Sequence, residues 1–248
     1  EDTVPDAYAL AERFNHFLRV TDVCDGLDAV GRPNVTLVDR TVRPLWMGMR
    51  FWGPAVTMRV VPTNRLMPQP LPPEDALRQH AIWREMGGWR ANLDDHVRAG
   101  CVIVTATGGA GECGYWGSNN TMAMQAAGAV GIVTDGDCRD TDDVILQRTP
   151  VACAGIGRPI IPGRVELEDV QSPVSCGGVL VRPGDIVGCD WDGVVVVPIE
   201  VAEEVLVFAA RIAVDDKKGR RKLYDKLGKE PDETVDWEAA AEYFKDLL

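Results

Sequence analysis

Two spacings of apolar residues alternate through the chain. In AYALAERFNHFL (7–18), Tyr8, Leu10, Ala11, Phe14, Phe17 and Leu18 fall three to four apart, as on one buried helix face. Thr21 is the expected N-cap of a second short helix, DVCDGLDAV, which Gly31 and Pro33 end. GPAVTMRVV (53–61) is rich in β-branched residues and predicts a strand. CVIVTA (101–106) is an almost unbroken apolar run, the mark of a strand covered on both faces. A Gly-rich loop, TGGAGECGYWG, leads from it to SNNTMAMQAAG, a predicted helix with Gly128 at its C-terminal end. AVGIVTD (129–135) is a second buried strand, so strand, loop, helix and strand make a βαβ unit that PVACAGI continues. The expected class is α/β.

The pattern changes on either side of this unit. Residues 62–100 read as an insertion: a proline-rich loop, PTNRLMPQPLPP, a helix over EDALRQHAIWREM, then GGWRANLDDHVRAG as a turn and short helix. Trp83 and Trp89 lie in it, either as packing anchors or as parts of a lid over a pocket. After residue 160 short strands follow, with turns at Pro183-Gly184 and Asp192-Gly193. The remainder is helical, EVAEEVLVFAARIAVDDKKGRRKLYDKLG and, beyond Pro231, WEAAAEYFKDLL. Its basic cluster, Lys217, Lys218, Arg220, Arg221 and Lys222, is expected on a solvated helix face. The division expected is one domain over residues 1–210, carrying the 62–100 insertion, and a helical extension over 211–248.

Composition narrows the function. With 248 residues, 46% of them hydrophobic, the chain can bury a full core. A net charge of -12 disfavours nucleic acid as the main partner, which would call for a basic footprint. No apolar run approaches the roughly 20 residues of a membrane span. The opening EDTVPDAYAL lacks a charged-then-apolar signal pattern. It also lacks an initiator Met, which leaves room for a segment ahead of it. Seven scattered cysteines without a CxxC pair argue against a disulfide framework or a zinc site, and for small core residues in a reducing, cytoplasmic setting.

The candidate chemistry lies at the ends of the βαβ unit. The turn 107–120 opens onto a helix start, where unpaired backbone N–H groups and the helix dipole favour an anion. Gly108, Gly109, Gly111, Gly114 and Gly117 permit close backbone approach. The spacing is not GxGxxG and no GK[ST] follows, so this is not a nucleotide phosphate loop. The next strand ends at Arg139 and Asp140, which should face residues 117–120 across one crevice. Arg139 can grip a carboxylate with two parallel hydrogen bonds, and Asp140 can hold a hard cation. A structural Arg–Asp pair capping the next helix is the other reading of the same two residues.

WGSNNTMAMQAAGAVGIVTDGDCRD resembles the signature of the RraA-like family, which includes the 4-hydroxy-4-methyl-2-oxoglutarate / 4-carboxy-4-hydroxy-2-oxoadipate aldolases. Gly117, Ala123, Ala126, Gly128, Gly131, Val133, Asp135, Gly136, Arg139 and Asp140 carry the match, with the Ala–Gly spacing one residue looser than the idealised form. TDVCDGLDAVG, GPAVTMRVV and GGVLVRPGDIVGCDWDGVVVVP extend it over about residues 8–210. The resemblance implies a swivelling β/β/α fold, like the phosphohistidine domain of pyruvate phosphate dikinase. It also implies homotrimers or homohexamers with sites near subunit interfaces, and a divalent metal, Mg2+ or Mn2+. By match, Asp140 is the metal ligand and Arg139 binds the carboxylate of a small 2-oxo acid. Gly117, Ser118, Asn119 and Asn120 form the substrate-binding turn, with the Asn119 and Asn120 amides cradling that carboxylate.

The chain departs from the family at Ser118, where the aldolases carry an acid. Decarboxylation of an oxaloacetate-like acid needs mainly an electron sink, a metal and Arg139 stabilising an enolate. Retro-aldol cleavage also needs a base for the hydroxyl proton. Glu112 and Asp137 are candidate replacement bases, and His80 or His96 could serve if the insertion is a lid. The expected activity is a metal-dependent carbon–carbon lyase, aldolase or decarboxylase. The alternatives are another lyase or hydratase on a sugar-like or aromatic-derived acid, or a non-enzymatic protein-binding regulator.

Overall fold

The computed structural model describes residues 6–68 and 70–248. Glu1–Pro5, the start of the segment read for a signal pattern, and Gln69 of the proline-rich loop lie outside the described residues. The first apolar stripe forms α1 (Ala7–Phe14), with the Asp6 carboxylate accepting from the Tyr8 and Ala9 N–H groups. It ends before Phe17, which takes a left-handed φ of 62°. In α2 (Val20–Ala29) the predicted cap is displaced. Thr21 lies inside the first turn, and Asp22 does the capping by reaching back to accept from the Arg19 N–H at 2.8 Å.

The strands follow as β1 (Arg43–Pro44) and β2 (Phe51–Pro62). In the insertion, the helix expected over 74–86 is split into a 3-10 turn (Pro73–Arg78) and α3 (Gln79–Glu85). The short helix expected within 87–100 is absent; isolated turns such as His96 N–H to Leu93 O let Leu93 and Val97 reach the core instead. The βαβ unit is β3 (Val102–Ala106), β4 (Gly114–Trp116), α4 (Ser118–Ala126) and β5 (Gly131–Cys138). Next come α5 (Thr141–Leu146), β6 (Val151–Ile156), β7 (Val165–Val170), β8 (Val174–Cys176) and β9 (Val179–Val181). The chain finishes with β10 (Ile186–Asp190), β11 (Gly193–Val197), α6 (Ala202–Leu227) and α7 (Trp237–Tyr243).

Among the described residues nine strands form one mixed sheet along the path β1-β6-β5-β3-β2-β10-β11, with β4 beside β5 and β7 beside β2. The centre, β2, β3, β5 and β6, is parallel, and the flanks are antiparallel. The ends of the path approach each other. Arg43 of β1 donates to the carbonyls of Trp191 and Asp192 ahead of β11, so the sheet is nearly closed. This is the expected α/β architecture with a C-terminal helix.

Period-2 alternation divides the core. Val194 and Val196 face the sheet interior under the β8–β9 hairpin, while Val195 and Val197 face α1, α2 and α6. In β3, Val102 and Val104 point inward and Ile103 points to the face under the insertion, which explains the unbroken apolar run. Six cysteines are buried and Cys24 is half-buried, as core residues should be. The division at 210/211 falls within α6, an unbroken helix of 26 residues whose Ala213 and Val214 share a core with α1. Lys217 is not solvated as expected. It is buried, donates to the Glu233 carbonyl at 2.6 Å, and lies 5.7 Å from the Phe17 ring centre. No helix among the described residues is long and apolar enough to cross a membrane.

Candidate functional site

The parallel pairing of β4 with β5 puts Gly114 opposite Asp137 and Trp116 opposite Cys138. The Arg139 N–H donates to the Trp116 carbonyl at 2.8 Å, which carries this pairing one residue past β5. Arg139 and Asp140 therefore emerge beside the start of α4. A cleft of about 370 Å³ opens there, walled by Gly114, Gly117, Asn119, Asn120, Arg139 and Asp140. His80, Gln79 and Leu77 of the insertion form the facing side.

The backbone decides where the Asp140 carboxylate points. Asp140 takes a left-handed conformation (φ 53°, ψ 36°), which Asp tolerates better than most residues. It occupies the N-cap position of α5, yet its side chain makes no capping hydrogen bond. The carboxylate turns instead to the start of α4, where Oδ2 lies 3.3 Å from the Ser118 N–H and 3.5 Å from Ser118 Oγ. Both contacts are long, and the side chain is 36% exposed, so lone pairs remain for a ligand. This favours the ligand reading of the Arg–Asp pair over the capping one.

Arg139 touches Asp140 through Nε alone, at 3.3 Å from Oδ1. Its Nη atoms have no partner among the described residues, so the two-pronged face of the guanidinium is free for a carboxylate. Gly114 and Gly117 make room for this pair. A Cβ on Gly114 would meet Arg139 Cγ at 2.5 Å, and one on Gly117 would meet Asp140 Oδ2 at 2.7 Å. At the head of α4 the N-cap residue Gly117 has no side chain to offer, and Asp140 reaches only the Ser118 amide. The Asn119 and Asn120 N–H groups precede the first intrahelical partner and line the cleft. The site thus combines a free guanidinium, a helix N-terminus and one carboxylate.

Other predicted residues lie elsewhere. Ser118 is buried behind the cleft wall, against Asp140. Glu112 is exposed and tied to Arg158 by two short bonds, 2.7 and 2.8 Å, and that guanidinium pulls its pKa below the ordinary carboxylate range. Asp137 leans on β6 and the residues after it, where a Cβ on Gly155 would meet its Oδ1 at 2.4 Å and one on Gly157 its Cβ at 2.8 Å. Neither acid lines the cleft. Gly108, Gly109 and Gly111 serve the turn, each at positive φ, and do not line it either. His96 is exposed and away from it. His80 does line it, and desolvation together with the Arg139 and Arg84 cations holds its pKa below 6.5. The insertion is therefore part of the site. Gln79 and Leu77, which sequence reasoning passed over, accompany His80, and nothing in their local sequence marks them for the cleft.

A second cavity of about 250 Å³ adjoins the first and shares Asn120 and Ile161 with it. No group of three or more His, Cys, Asp or Glu among the described residues forms a metal cage. A cation in the cleft would hold to the protein through Asp140 and complete its shell with water and ligand oxygens, as Mg2+ commonly does.

With this geometry in view, the family model RraA-like (Aldolase/RraA) matches residues 20–196, which include both ends of the cleft. The chain belongs to the RraA-like family. "Protein DlpA" of Legionella pneumophila is 30% identical over 185 residues, 75% of this chain, and the chain spans only 27% of its length. A protein of Halalkalibacterium halodurans named "Putative 4-hydroxy-4-methyl-2-oxoglutarate aldolase" is 28% identical over 209 residues, 84% of this chain and 85% of that one. The crystal structure of Streptomyces coelicolor RraAS2, titled an unusual member of the RNase ES inhibitor RraA protein family, superposes with a TM-score of 0.66. That pair is 25% identical, covering 88% of this chain and 98% of the other. The matched span runs across the 62–100 segment and the Arg139–Asp140 turn.

Proposed function

We propose that this RraA-like chain is a divalent-metal-dependent carbon–carbon lyase acting on a small 2-oxo acid. One observation carries the reading: Asp140 turns its carboxylate away from α5 toward the start of α4, beside the unpaired Nη atoms of Arg139. The aldolase name of the Halalkalibacterium relative agrees with it.

Arg139 takes the substrate carboxylate in a two-pronged grip, and the Asn119 and Asn120 N–H groups bind its outer oxygens. Asp140 would hold the cation, Mg2+ or Mn2+, which when bound supplies Lewis-acid polarisation of the 2-oxo group. Ser118 keeps Asp140 oriented through its N–H and hydroxyl. Ser118 is neutral and cannot act as a base without an activating partner. His80 fills that role in our reading, because it lines the cleft, where desolvation and the Arg139 and Arg84 cations lower its pKa and so favour the neutral imidazole. It accepts the proton of the 4-hydroxyl as the carbon–carbon bond breaks, and returns a proton to the carbon of the departing 2-oxo acid. Decarboxylation of a 2-oxo diacid needs no base for a hydroxyl proton, and water can protonate the released enolate, so that reaction does not depend on His80. Assembly into trimers or hexamers, which the family resemblance implies, belongs to the same proposal.

Pyruvate release from oxaloacetate and from a 4-hydroxy-2-oxo diacid, with Mg2+ and with EDTA, tests the reading. His80→Gln should lower aldol cleavage by about 10²-fold or more and leave decarboxylation near the wild-type rate. Equal losses in both would remove His80 from the base role. No metal-dependent turnover of either substrate would overturn this reading; turnover of a sugar-like or aromatic-derived acid would then favour another lyase or hydratase, and none at all a protein binder, which the net charge of -12 permits.

A further inference from the structure

We infer that the second cavity is the subsite for the far end of the substrate, and that it selects a 2-oxo acid bearing an aryl or similarly bulky apolar group. The inference rests on the reading of the Arg139–Asp140 cleft as an oxo-acid site. The two cavities share Asn120 and Ile161 in their walls, so the second lies directly beside the one that Arg139 lines.

The walls are chosen for apolar contact. Met58, Trp89, Tyr115, Trp116, Met124 and Leu167 surround the space. The polar tips of two of the aromatic side chains are already committed: Trp116 Nε1 donates to Thr105 Oγ1 at 3.0 Å, and the Tyr115 hydroxyl to the Gly111 carbonyl at 3.4 Å. Apolar ring, thioether and aliphatic surface dominates the wall, with Arg84, Asn92, Asp94 and Asn120 as its polar members, and favours aromatic guests. Arg84 lies 4.5 Å from the Trp89 ring centre, so its cation covers that ring rather than pairing with an acid. Trp83, fully buried and bonded to the Val165 carbonyl at 3.0 Å, fixes the helix that carries Arg84.

Size agrees with the chemistry. A cavity of about 150 Å³ holds benzene, so about 250 Å³ holds a substituted ring. Pyruvate or oxaloacetate alone would leave these apolar walls facing water.

Calorimetric titration of the full chain in Mg2+ with pyruvate and with phenylpyruvate tests this. Phenylpyruvate should bind at least about tenfold more tightly. Ala123 lines the cavity on the exposed side of α4 and takes no part in the cleft. Ala123→Phe should erase the aryl preference while changing pyruvate affinity by less than about twofold. Pyruvate binding with no gain for phenylpyruvate overturns the subsite alone. A preference that survives Ala123→Phe in a folded protein also overturns it. If neither acid binds, the reading of the cleft fails and the subsite with it.

Discussion

Gly117→Ala probes the cleft by adding a single methyl group. Gly117 has an extended backbone (φ -143°, ψ 171°) that any residue adopts, so the change tests space and not strain. The new Cβ would stand 2.7 Å from Asp140 Oδ2 and 3.2 Å from Arg139 Cγ. Ordinary contact begins at 3.4 Å, so the carboxylate must retreat by about 0.7 Å and the Arg139 stem by less. Misplacement by about 1 Å in a reacting assembly costs about 10²-fold. The expected fall in kcat/KM is therefore about 30- to 100-fold, or ~2–3 kcal/mol of transition-state stabilisation. Stability should fall far less, by about 1 kcal/mol or under, because Gly is a better N-cap than Ala. Pyruvate release measured by coupled oxidation of NADH, alongside thermal unfolding, separates the two effects. A folded variant within about twofold of wild-type kcat/KM would refute the claim that the Asp140 carboxylate works from this position.

Two further predictions concern the scaffold. Gly219 lies on the exposed face of α6 with nothing within 4 Å of an added Cβ, so Gly219→Ala should stabilise the fold by about 0.5–1 kcal/mol in denaturant titration with activity unchanged. Glu166 is buried and accepts from Thr63 and Arg65 at the root of the insertion, with Arg90 3.6 Å away, and these partners lower its pKa below 4.5. A carboxyl with a lowered folded pKa contributes stability above its unfolded value and loses it as pH falls through the folded one. Glu166→Gln should therefore cost about 2 kcal/mol at pH 7, and the gap to wild type should narrow only below pH 4.5.

The parts of the fold visible in the sequence are those that one physical signal determines. β3 could be read from CVIVTA because both of its faces are covered, and the head of α4 from the polar turn after the glycines. Where two signals compete, tertiary contacts chose. Thr21 reads as the cap, but Arg19 takes the N-cap position and Asp22 reaches back to it, because its carboxylate binds both the Arg19 N–H and the Arg19 guanidinium. Lys217 sits among solvated charges in sequence, but the carbonyl of Glu233 and the ring of Phe17 await it in the folded chain. At the site, the proximity of residues 117–120 to Arg139 and Asp140 follows from βαβ geometry. The direction of the Asp140 side chain does not, because a left-handed φ at a non-glycine residue leaves no mark in the sequence. Glu112 reads as a loop acid near the site until Arg158, distant in sequence, is seen to hold it. His80 reaches the cleft because Trp83 pins α3 to β7, a contact spanning 82 residues.

The central claim is that Asp140 holds the working cation. Oxaloacetate decarboxylation by wild type and Asp140→Ala, followed as pyruvate release across a Mg2+ titration, addresses it most directly. Wild type should show a saturable Mg2+ dependence that EDTA abolishes, and Asp140→Ala should lose that dependence above the non-enzymatic background. Full metal-dependent activity in Asp140→Ala would contradict it.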